Sequence, residues 1–556
     1  MTEHILIAVA WPYANSRLHL GHVAGAYLPA DIFARYHRMK GNCVIMVSGS
    51  DQHGTPVTIR AEAEGKTPAE VAGSYHQLFL EDFDKLGISW DLFTTTRTDN
   101  HEKTAQEIFL KLLDQGYIYK QSVSQPWCDK CKRFLPDRYV EGTCPMCKST
   151  GARGDQCEQC GKPMNPSDLI GAHCRTCDTQ PIYKESEHFF LKLSAFERPL
   201  LAWVQSQPHW RANVQNFTAR YLQEGLHDRA ITRDIDWGVP LPLSGYDGKR
   251  LYVWFEAVIG YLSASKEWAQ KSGNSEAWRH FWDGEARGYY FIGKDNIPFH
   301  TIVWPAILLG YGGLNLPYDV PANEFLTIES QKFSKSRNLA VWVSDYFERY
   351  QADPLRYLLS ANMPETSDTD FSWREFVRRN NDELVSTYGN LVQRVLTFTY
   401  TRFDGAVPEH GEIDAVSHAL LDKAQNTFDV VDKLISGCHF KEAIRVAMAL
   451  AQESNRYLDE KAPWKVIKDD RQAAATSLYV AIAVITALKT ILYPFIPFSS
   501  EKVHAYLGLS SRIEDDGWKL TMPQPGGKLN PPQVLFTKLD ESVVEEETLR
   551  MGFSPI

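Results

Sequence analysis

Two imidazole side chains near the start of the chain are well placed to hold phosphate. His19 and His22, with Gly21 between them, follow an apolar strand-like run at residues 5–10 and open a helical pattern that continues to about residue 40. Residues three apart lie on one face of a helical turn, and a glycine lets a ligand approach the backbone. A strand, a tight loop and a helix N-terminus with two imidazoles predict a phosphate site. Taken alone, so short a motif is as often a pair of surface histidines.

A second polar motif lies about three hundred residues downstream, in the segment KFSKS. Lys332 and Lys335 supply two ammonium groups there, and Ser334 supplies a hydroxyl group between them. A lone lysine–serine pentad is usually a solvated loop. The pair HLGH and KFSKS, however, resembles the two signatures of class I aminoacyl-tRNA synthetases, which implies an enzyme that activates an amino acid with ATP.

Eight of the ten cysteines form four C-x-x-C pairs between positions 128 and 177. In a chain with no apparent export signal, such pairs are typical of zinc thiolate ligands rather than disulfides. The short gap favours an inner site nested within an outer one; pairing of consecutive motifs and redox chemistry are the alternatives. Four protein ligands leave no open position, so the zinc would be structural. The inner set is Cys144, Cys147, Cys157 and Cys160, and the possible second set is Cys128, Cys131, Cys174 and Cys177.

The composition is that of an ordinary soluble protein. With 556 residues, 44% apolar and 23% charged, the chain is too long for one core and predicts three or four domains. A net charge of −10 argues against nonspecific coating of nucleic acid but does not exclude tRNA, which local basic patches bind. The first residues lack a signal-peptide pattern, and the most apolar stretch, residues 478–488, is by length too short to span a bilayer. We therefore expect a cytoplasmic protein.

Strand and helix patterns alternate on both sides of the cysteine-rich segment. Besides the first run, residues 44–47, 251–255 and 289–292 predict buried strands. From about residue 380 onward, apolar stripes with a period of 3.6 residues predict a helical bundle. The expected fold class is α/β: a Rossmann-like parallel-sheet catalytic domain, split by a zinc-binding insertion and followed by an all-α bundle.

Over nearly its whole length the chain resembles the methionyl-tRNA synthetase family of this class. The matching segments are AWPYAN before HLGH, SDQHGTP, the cysteine-rich insertion, YVWFEAVIGY, FIGKD with FH and WPA, KFSKS, and NRYLDEKAPW. The resemblance implies activation of L-methionine with ATP and Mg²⁺ to methionyl-adenylate. It also implies transfer of the methionyl group to the 3′ end of tRNA(Met), for translation initiation and elongation. Because the chain ends soon after the bundle, we expect a monomer.

The same resemblance implies a division of the chain into five parts. These are residues 1–115 and 231–325 as the two halves of the catalytic domain, 116–230 as the zinc-binding insertion, 326–385 as a stem-contact region with the KFSKS loop, and 386–556 as an anticodon-binding helical bundle.

Roles for single residues follow from the resemblance. The catalytic set would be His19, His22, Lys332 and Lys335 around the triphosphate, with Gly21 and Ser334 beside them and Asp295 on the ribose. The methionine site would comprise Trp11, Pro12, Tyr13, Asp51, Trp254, Ala257, Tyr261 and His300, with Asp51 meeting the α-ammonium group. Asn390, Arg394 and Trp464 would read the anticodon. From spacing alone, Asp295 fits a helix N-cap equally well, and the aromatic residues fit a core.

Three positions depart from the commonest family pattern: Trp11 stands for a leucine, Val258 for a proline and Asn296 for an apolar residue. These departures concern the lining of the pocket. Another class I synthetase is an alternative, but the chain has no room for a large editing insertion, and its cysteine sites look closed rather than catalytic. A nucleotidyltransferase that acts without tRNA is a second alternative, and a zinc-ribbon RNA-binding module is a third.

Overall fold

A five-stranded, wholly parallel sheet lies at the centre of the catalytic part, as the α/β prediction requires. The computed structural model describes residues 2–154, 157, 159–160, 164, 166–329, 331–332 and 340–551, and of residues 137, 331 and 332 it describes only the backbone. The strands are β1 (His4–Val9), β2 (Cys43–Ser50), β3 (Leu92–Thr95), β4 (Arg287–Gly293) and β5 (Ala322–Asn323). Their order in the sheet is β5-β4-β1-β2-β3.

Strand β1 is the middle of the sheet because its side chains are apolar on both faces. Leu6 and Ala8 join the core that contains the helix Val253–Lys271, whereas Ile5 and Ile7 join a core that continues into the C-terminal helices. Such a strand is stable only when helices cover both sides of the sheet. The strands predicted at residues 5–10, 44–47 and 289–292 are confirmed as β1, β2 and β4.

The order of the strands creates a crevice at their carboxyl ends. The chain leaves β1 toward β2 and β3 on one side and later adds β4 and β5 on the other, so loops after β1 and β4 diverge. Parallel α/β sheets bind ligands at such switch points. The helices around the sheet are Leu20–His22 with the π-helical turn Val23–Tyr27 and Leu28–Met39, then Thr55–Glu64, Pro68–Leu86, Asp99–Asp114, Val253–Lys271, and the π-helical turn Phe299–Val303 with Trp304–Tyr311.

The strand predicted at residues 251–255 is wrong. Only Arg250–Leu251 is extended, and a 19-residue helix begins at Val253. This helix is buried on most of its circumference between Val253 and Ser265. A helix buried on all sides shows no amphipathic period, so its aromatic and β-branched start resembled a buried strand.

The cysteine-rich insertion is built from two small antiparallel sheets. A long hairpin forms the first sheet with two short strands, and the cysteines lie at its tip and in the second sheet. The strands are Ile118–Cys128, Arg133–Phe134, Ile182–Leu191 and Arg229–Ala230 in the first sheet, and Val140–Thr143, Ala152–Arg153 and Ile170–Cys174 in the second. The helices Glu197–Gln205 and Ala212–Gln223 and the short pair Thr232–Arg233 and Arg250–Leu251 lead back to the central sheet.

A small sheet and a helical bundle complete the chain. The strands Leu326–Ile328, Gln331–Lys332 and Thr369–Phe371 form that sheet. The predicted bundle is confirmed, and the predicted stripe of Leu384, Tyr388, Leu391 and Val395 is buried in it. The helices are Val343–Phe347, Ala352–Ala361, Trp373–Arg379, the π-helical Asn380–Gly389, Asn390–Arg402, Ala415–Ser436, Phe440–Lys461, Pro463–Val466, Arg471–Leu492, Pro497–Tyr506, Ile513–Asp516 and Ser542–Arg550.

The most apolar helix is longer than the sequence suggested. The helix Arg471–Leu492 has 22 residues, so the expectation that this stretch is too short to cross a membrane is wrong. Within the described part of the chain it is the one helix whose length and composition would allow it to cross a membrane. Its apolar segment is completely buried against the other helices, as is typical of a core helix in a bundle.

Candidate active site

The two histidines of HLGH follow the loop after β1: His19 is the N-cap of the short helix Leu20–His22, and His22 is its last residue. Their rings stack with centroids 3.7 Å apart. The backbone N–H of His19 donates to Nδ1 of His22 at 3.1 Å, so the neutral His22 ring carries its proton on Nε2. The two imidazoles therefore act as one unit at the helix N-terminus, where backbone N–H groups favour an anion.

Residues 341–343, which follow the KFSKS motif in the chain, are hydrogen-bonded directly to this unit. Leu20 N–H donates to the carbonyl oxygen of Val341 at 3.1 Å, and Val343 N–H donates to that of Leu18 at 3.0 Å. Trp342 lies edge-on to His19, with ring centroids 6.1 Å apart. Of the predicted phosphate ligands, Ser334 and Lys335 lie outside the described residues, and for Lys332 the structure describes only the backbone, in the strand Gln331–Lys332.

Seven of the eight residues predicted around methionine come together at the crevice from three elements. The loop after β1 supplies Trp11, Pro12 and Tyr13, and it pairs with the loop after β2 because Asp51 N–H donates to the carbonyl oxygen of Pro12 at 2.8 Å. The helix Val253–Lys271 supplies Trp254, Ala257 and Tyr261 on one face. Trp254 Nε1 donates to the Tyr13 hydroxyl at 2.8 Å, and the rings of Trp11 and Tyr261 meet edge to face.

A buried chain of hydrogen bonds fixes the eighth predicted residue, His300. Its Nδ1 lies 2.8 Å from the carbonyl oxygen of Asn296, and its Nε2 lies 2.7 Å from the Tyr261 hydroxyl oxygen. A carbonyl only accepts, so Nδ1 carries the proton and Tyr261 donates to Nε2. Burial lowers the pKa of His300 to about 4, which keeps the ring neutral at pH 7. Burial also raises the pKa of Tyr261 well above its ordinary value, so the hydroxyl stays protonated.

The ring of Trp11 occupies a slot between two glycines. A Cβ atom added to Gly49 of β2 would lie 2.3 Å from Cζ3 of Trp11, and one added to Gly260 would lie 2.7 Å from Cζ2. Both distances are far below van der Waals contact. Trp11 Nε1 is buried and has no partner within the described residues.

Asp295 lies in the exposed turn Lys294–Asn296, directly after β4 and across the crevice from the end of β1. Its neighbour Lys294 forms ion pairs with Glu324 and Asp368, both at 2.7 Å. These ion pairs hold the turn against β5 and the segment before Thr369–Phe371.

Sequence reasoning missed several polar residues of the site. Arg138 of the insertion and Arg233 line a cavity beside Tyr13 and Trp254, at the mouth of the predicted methionine site. Glu256, fully buried on the helix of that site, is bonded to two histidines. The sequence carries one signal for it: Glu256 is a single acid within the apolar run VWFEAVIGY, where an unpaired charge would be costly.

The cysteines group as predicted, and not in consecutive pairs. All four Sγ atoms of the inner set lie within 4.8 Å of one another, as do those of the outer set. The Sγ atoms of Cys128 and Cys177 are 3.4 Å apart, and those of Cys144 and Cys160 are 4.0 Å apart. Tetrahedral zinc with Zn–S bonds of ~2.3 Å places sulfurs ~3.8 Å apart, so both sets fit the ion.

The three predicted anticodon residues line one side of the bundle. The Arg394 guanidinium lies 4.2 Å from the ring centroid of Trp464 and also pairs with Asp459 at 3.3 Å. Asn390, one turn before Arg394, lines the same cleft of about 430 Å³ together with Asn455 and other polar residues. A half-buried indole held by a guanidinium, beside amide groups, has the chemistry to stack on and hydrogen-bond an unpaired base.

Known proteins resemble this chain from end to end. Residues 5–396 match the family described as "tRNA synthetases class I (M)", and residues 407–554 match the "Anticodon binding domain of methionyl tRNA ligase". A methionine–tRNA ligase of Dehalococcoides mccartyi is 66% identical over 552 residues, which are 99% of this chain and 100% of that protein. One of Thermomicrobium roseum is 53% identical over 579 residues, with 99% of each chain covered. The crystal structure of Mycobacterium tuberculosis methionyl-tRNA synthetase bound by methionyl-adenylate matches with a TM-score of 0.80 and 26% identity, over 97% of this chain and 100% of that one.

Proposed function

The chain belongs to the methionyl-tRNA synthetase family of class I. From this membership we infer the reaction that the enzyme catalyses and the residues that take part in each step. The enzyme activates L-methionine with ATP and transfers the methionyl group to the 3′ end of tRNA(Met), for translation initiation and elongation. The main support for this function is that residues 5–396 and 407–554, almost the whole chain, match the synthetase family and its anticodon-binding domain. The crevice at the sheet switch point, with HLGH bonded to residues 341–343 that follow KFSKS, is consistent with it.

In the first step, the methionine carboxylate attacks the α-phosphorus of ATP in line, and pyrophosphate leaves. The protein needs no nucleophile of its own; it supplies positioning and positive charge where the phosphoryl oxygens gain negative charge. We assign His19, Gly21 and His22 to the phosphates, Lys332, Ser334 and Lys335 to the triphosphate, and Asp295 to the ribose. The stacked imidazoles at the helix N-terminus support the first assignment. Mg²⁺ would enter with ATP.

The methionine site would be formed by Trp11, Pro12, Tyr13, Asp51, Trp254, Ala257, Tyr261 and His300. Aromatic rings and a neutral imidazole suit an uncharged thioether side chain, and the hydrogen bond between Tyr261 and His300 holds two of the walls in place. Asp51 is buried, and within the described residues no cationic side chain pairs with it. The α-ammonium group of the substrate would supply that missing charge.

In the second step, the 2′-hydroxyl of the terminal adenosine of tRNA attacks the adenylate carbonyl carbon; the ester bond to the methionyl group forms, the anhydride C–O bond breaks, and AMP leaves. The anticodon would bind far from this reaction, at Asn390, Arg394 and Trp464 on the bundle. The cation–π contact between Arg394 and Trp464 supports this role because it presents the indole beside hydrogen-bonding groups. Residues 326–385 would contact the stem of the tRNA, and the chain would divide into the five parts that the family resemblance implies.

Each four-cysteine set would hold one structural zinc ion, Cys144, Cys147, Cys157 and Cys160 in the inner site and Cys128, Cys131, Cys174 and Cys177 in the outer site. When bound, zinc would cross-link the two C-x-x-C pairs of each set and would supply no reacting group. The outer set sits on the helix that follows Asp51, because Tyr139 donates to Thr58 at 2.9 Å and Arg133 pairs with Glu62 at 2.6 Å. We further propose that the enzyme is a cytoplasmic monomer.

The test is ATP–pyrophosphate exchange with each of the twenty amino acids in the absence of tRNA. Exchange with methionine alone is expected, followed by charging of tRNA(Met) when tRNA is added. Exchange with a different amino acid would keep the reaction and overturn the methionine assignment. No exchange with any of them, from folded protein with a full complement of zinc, would overturn the proposed activation step.

A further inference from the structure

A buried network around Glu256 lies directly behind the proposed methionine site. Glu256 is fully buried on the helix Val253–Lys271, and its two carboxylate oxygens each bind one imidazole. Oε1 accepts from Nδ1 of His53 at 2.8 Å, and Oε2 accepts from Nε2 of His101. A carboxylate only accepts, so it fixes the position of one proton on each imidazole.

This network connects the loop of Asp51 to the wall of the pocket. The backbone N–H of His53 donates to Oδ1 of Asp51 at 3.3 Å, so the two residues form one turn. On the other side, Nδ1 of His101 lies 2.9 Å from the Ser263 hydroxyl oxygen, on the same helix as Glu256. Glu256 therefore holds together three segments that are distant in sequence: the loop after β2, the helix Asp99–Asp114 and the helix that carries Trp254, Ala257 and Tyr261.

The buried carboxylates of Asp51 and Glu256 affect each other's ionisation. Burial alone would raise the pKa of Glu256, but the two imidazoles reverse this effect and lower the pKa to about 2. Burial, followed by the nearby charge of Glu256, raises the pKa of Asp51 well above its ordinary value. The negative charge of Glu256 therefore opposes ionisation of Asp51. A ligand cation in front of Asp51 would stabilise the ionised form of both carboxylates.

We propose that Glu256 is a positioning residue for the α-ammonium group of the substrate. It acts through His53, which sets the orientation of Asp51, and through its own charge, which adds to the attraction for a cation at that place. The inference rests on the proposed function, since it assigns the ammonium group to Asp51. It predicts that the network discriminates ligands by their ammonium group and not by their side chain.

The test variant is Glu256→Gln, which keeps the shape of the side chain but can accept from only one of the two imidazoles. Loss of a hydrogen bond to a charged group predicts a rise in the methionine KM of roughly 10- to 100-fold, with the ATP KM unchanged. Two competitive inhibitors of exchange then separate the alternatives. L-Methioninol keeps the ammonium group, and its inhibition constant should rise in parallel with the methionine KM. 4-(Methylthio)butyrate lacks the ammonium group, and its inhibition constant should stay the same.

Two further variants complete the design. Glu267→Gln is the matched control on the same helix, where Glu267 accepts from Thr94 at 2.7 Å and pairs with Lys271 at 2.7 Å; all three constants should remain unchanged. His53→Gln removes the imidazole that joins Glu256 to the Asp51 turn, keeps the backbone N–H that donates to Asp51, and should reproduce the selective loss even where Glu256→Gln fails to fold. A parallel rise of both inhibition constants in the variants, or no rise of either, would overturn the proposal. Because the wild-type enzyme must first show methionine-dependent exchange, failure of the proposed function would appear separately.

Discussion

Replacing Gly260 by alanine should displace the ring of Trp11. The added Cβ would lie 2.7 Å from Cζ2 and 2.8 Å from Cε2 of the indole. The ring cannot retreat in the opposite direction, because Gly49 on the other side already lies so close that a Cβ there would meet Cζ3 at 2.3 Å. The strain must therefore move the ring along the slot or open the helix Val253–Lys271 from the sheet.

Overpacking of this kind costs about 1–3 kcal/mol. We expect Gly260→Ala to lower the free energy of unfolding by about 2 kcal/mol, within that range. If Trp11 lines the methionine site, as proposed, displacement of the ring should also raise the methionine KM about tenfold, which corresponds to about 1.4 kcal/mol of binding free energy.

Urea unfolding and ATP–pyrophosphate exchange measure the two effects, and a double-mutant cycle with Trp11→Leu tests their cause. The smaller leucine leaves room for the alanine methyl group, so the double variant should be more stable than the sum of the two single changes by about 0.5–3 kcal/mol. Gly73→Ala is the control: it lies in the helix Pro68–Leu86, and its added methyl group would contact nothing within 4 Å. Strictly additive changes in the cycle would refute the slot between the glycines.

Three further predictions concern phosphate, the anticodon and pH. Lys335→Ala should slow adenylate formation by about 10²-fold or more, the scale of one preorganised charge donor; an unchanged single-turnover rate would contradict its role. Trp464→Ala should weaken tRNA charging and leave pyrophosphate exchange intact, whereas loss of both would make Trp464 structural. Because burial lowers the pKa of His300 to about 4, the unfolded imidazole takes up its proton first as the pH falls. The free energy of unfolding should therefore drop by roughly 2 kcal/mol from pH 7 to pH 5 through this group, and less in His300→Gln when both proteins are unfolded in urea.

The parts that sequence predicted well are those in which neighbouring residues carry the signal. The four C-x-x-C pairs place their ligands within a few residues, so their spacing indicated the nested arrangement that the structure shows. The strands at residues 5–10 and 44–47 have short, uniformly apolar runs, and HLGH directly follows the first of them. In each case the local pattern and the tertiary environment require the same structure.

Prediction failed where burial on all sides removed the local pattern. The sequence of the helix that begins at Val253 resembles a strand because it has no polar face. The sequence of Arg471–Leu492 suggested a shorter segment because only its central residues are uniformly apolar. Helical periodicity reports the contrast between a buried and an exposed side, and these two helices lack an exposed side. The contact between His53, His101 and Glu256 depends in addition on the order of the strands, which no single segment encodes.

Trp11 shows how a residue that departs from the family pattern can be explained by two others far away in the sequence. Trp11 stands where the family commonly has the smaller leucine, so its larger ring needs additional space. The answer lies in Gly49, within the buried strand β2, and Gly260, within a buried helix, where each absent side chain leaves space for part of the indole. A glycine inside a buried element weakens it and usually marks the close approach of another group. Both glycines were therefore visible signals in the sequence, but only the packing of the helix against the sheet reveals that they admit the same ring.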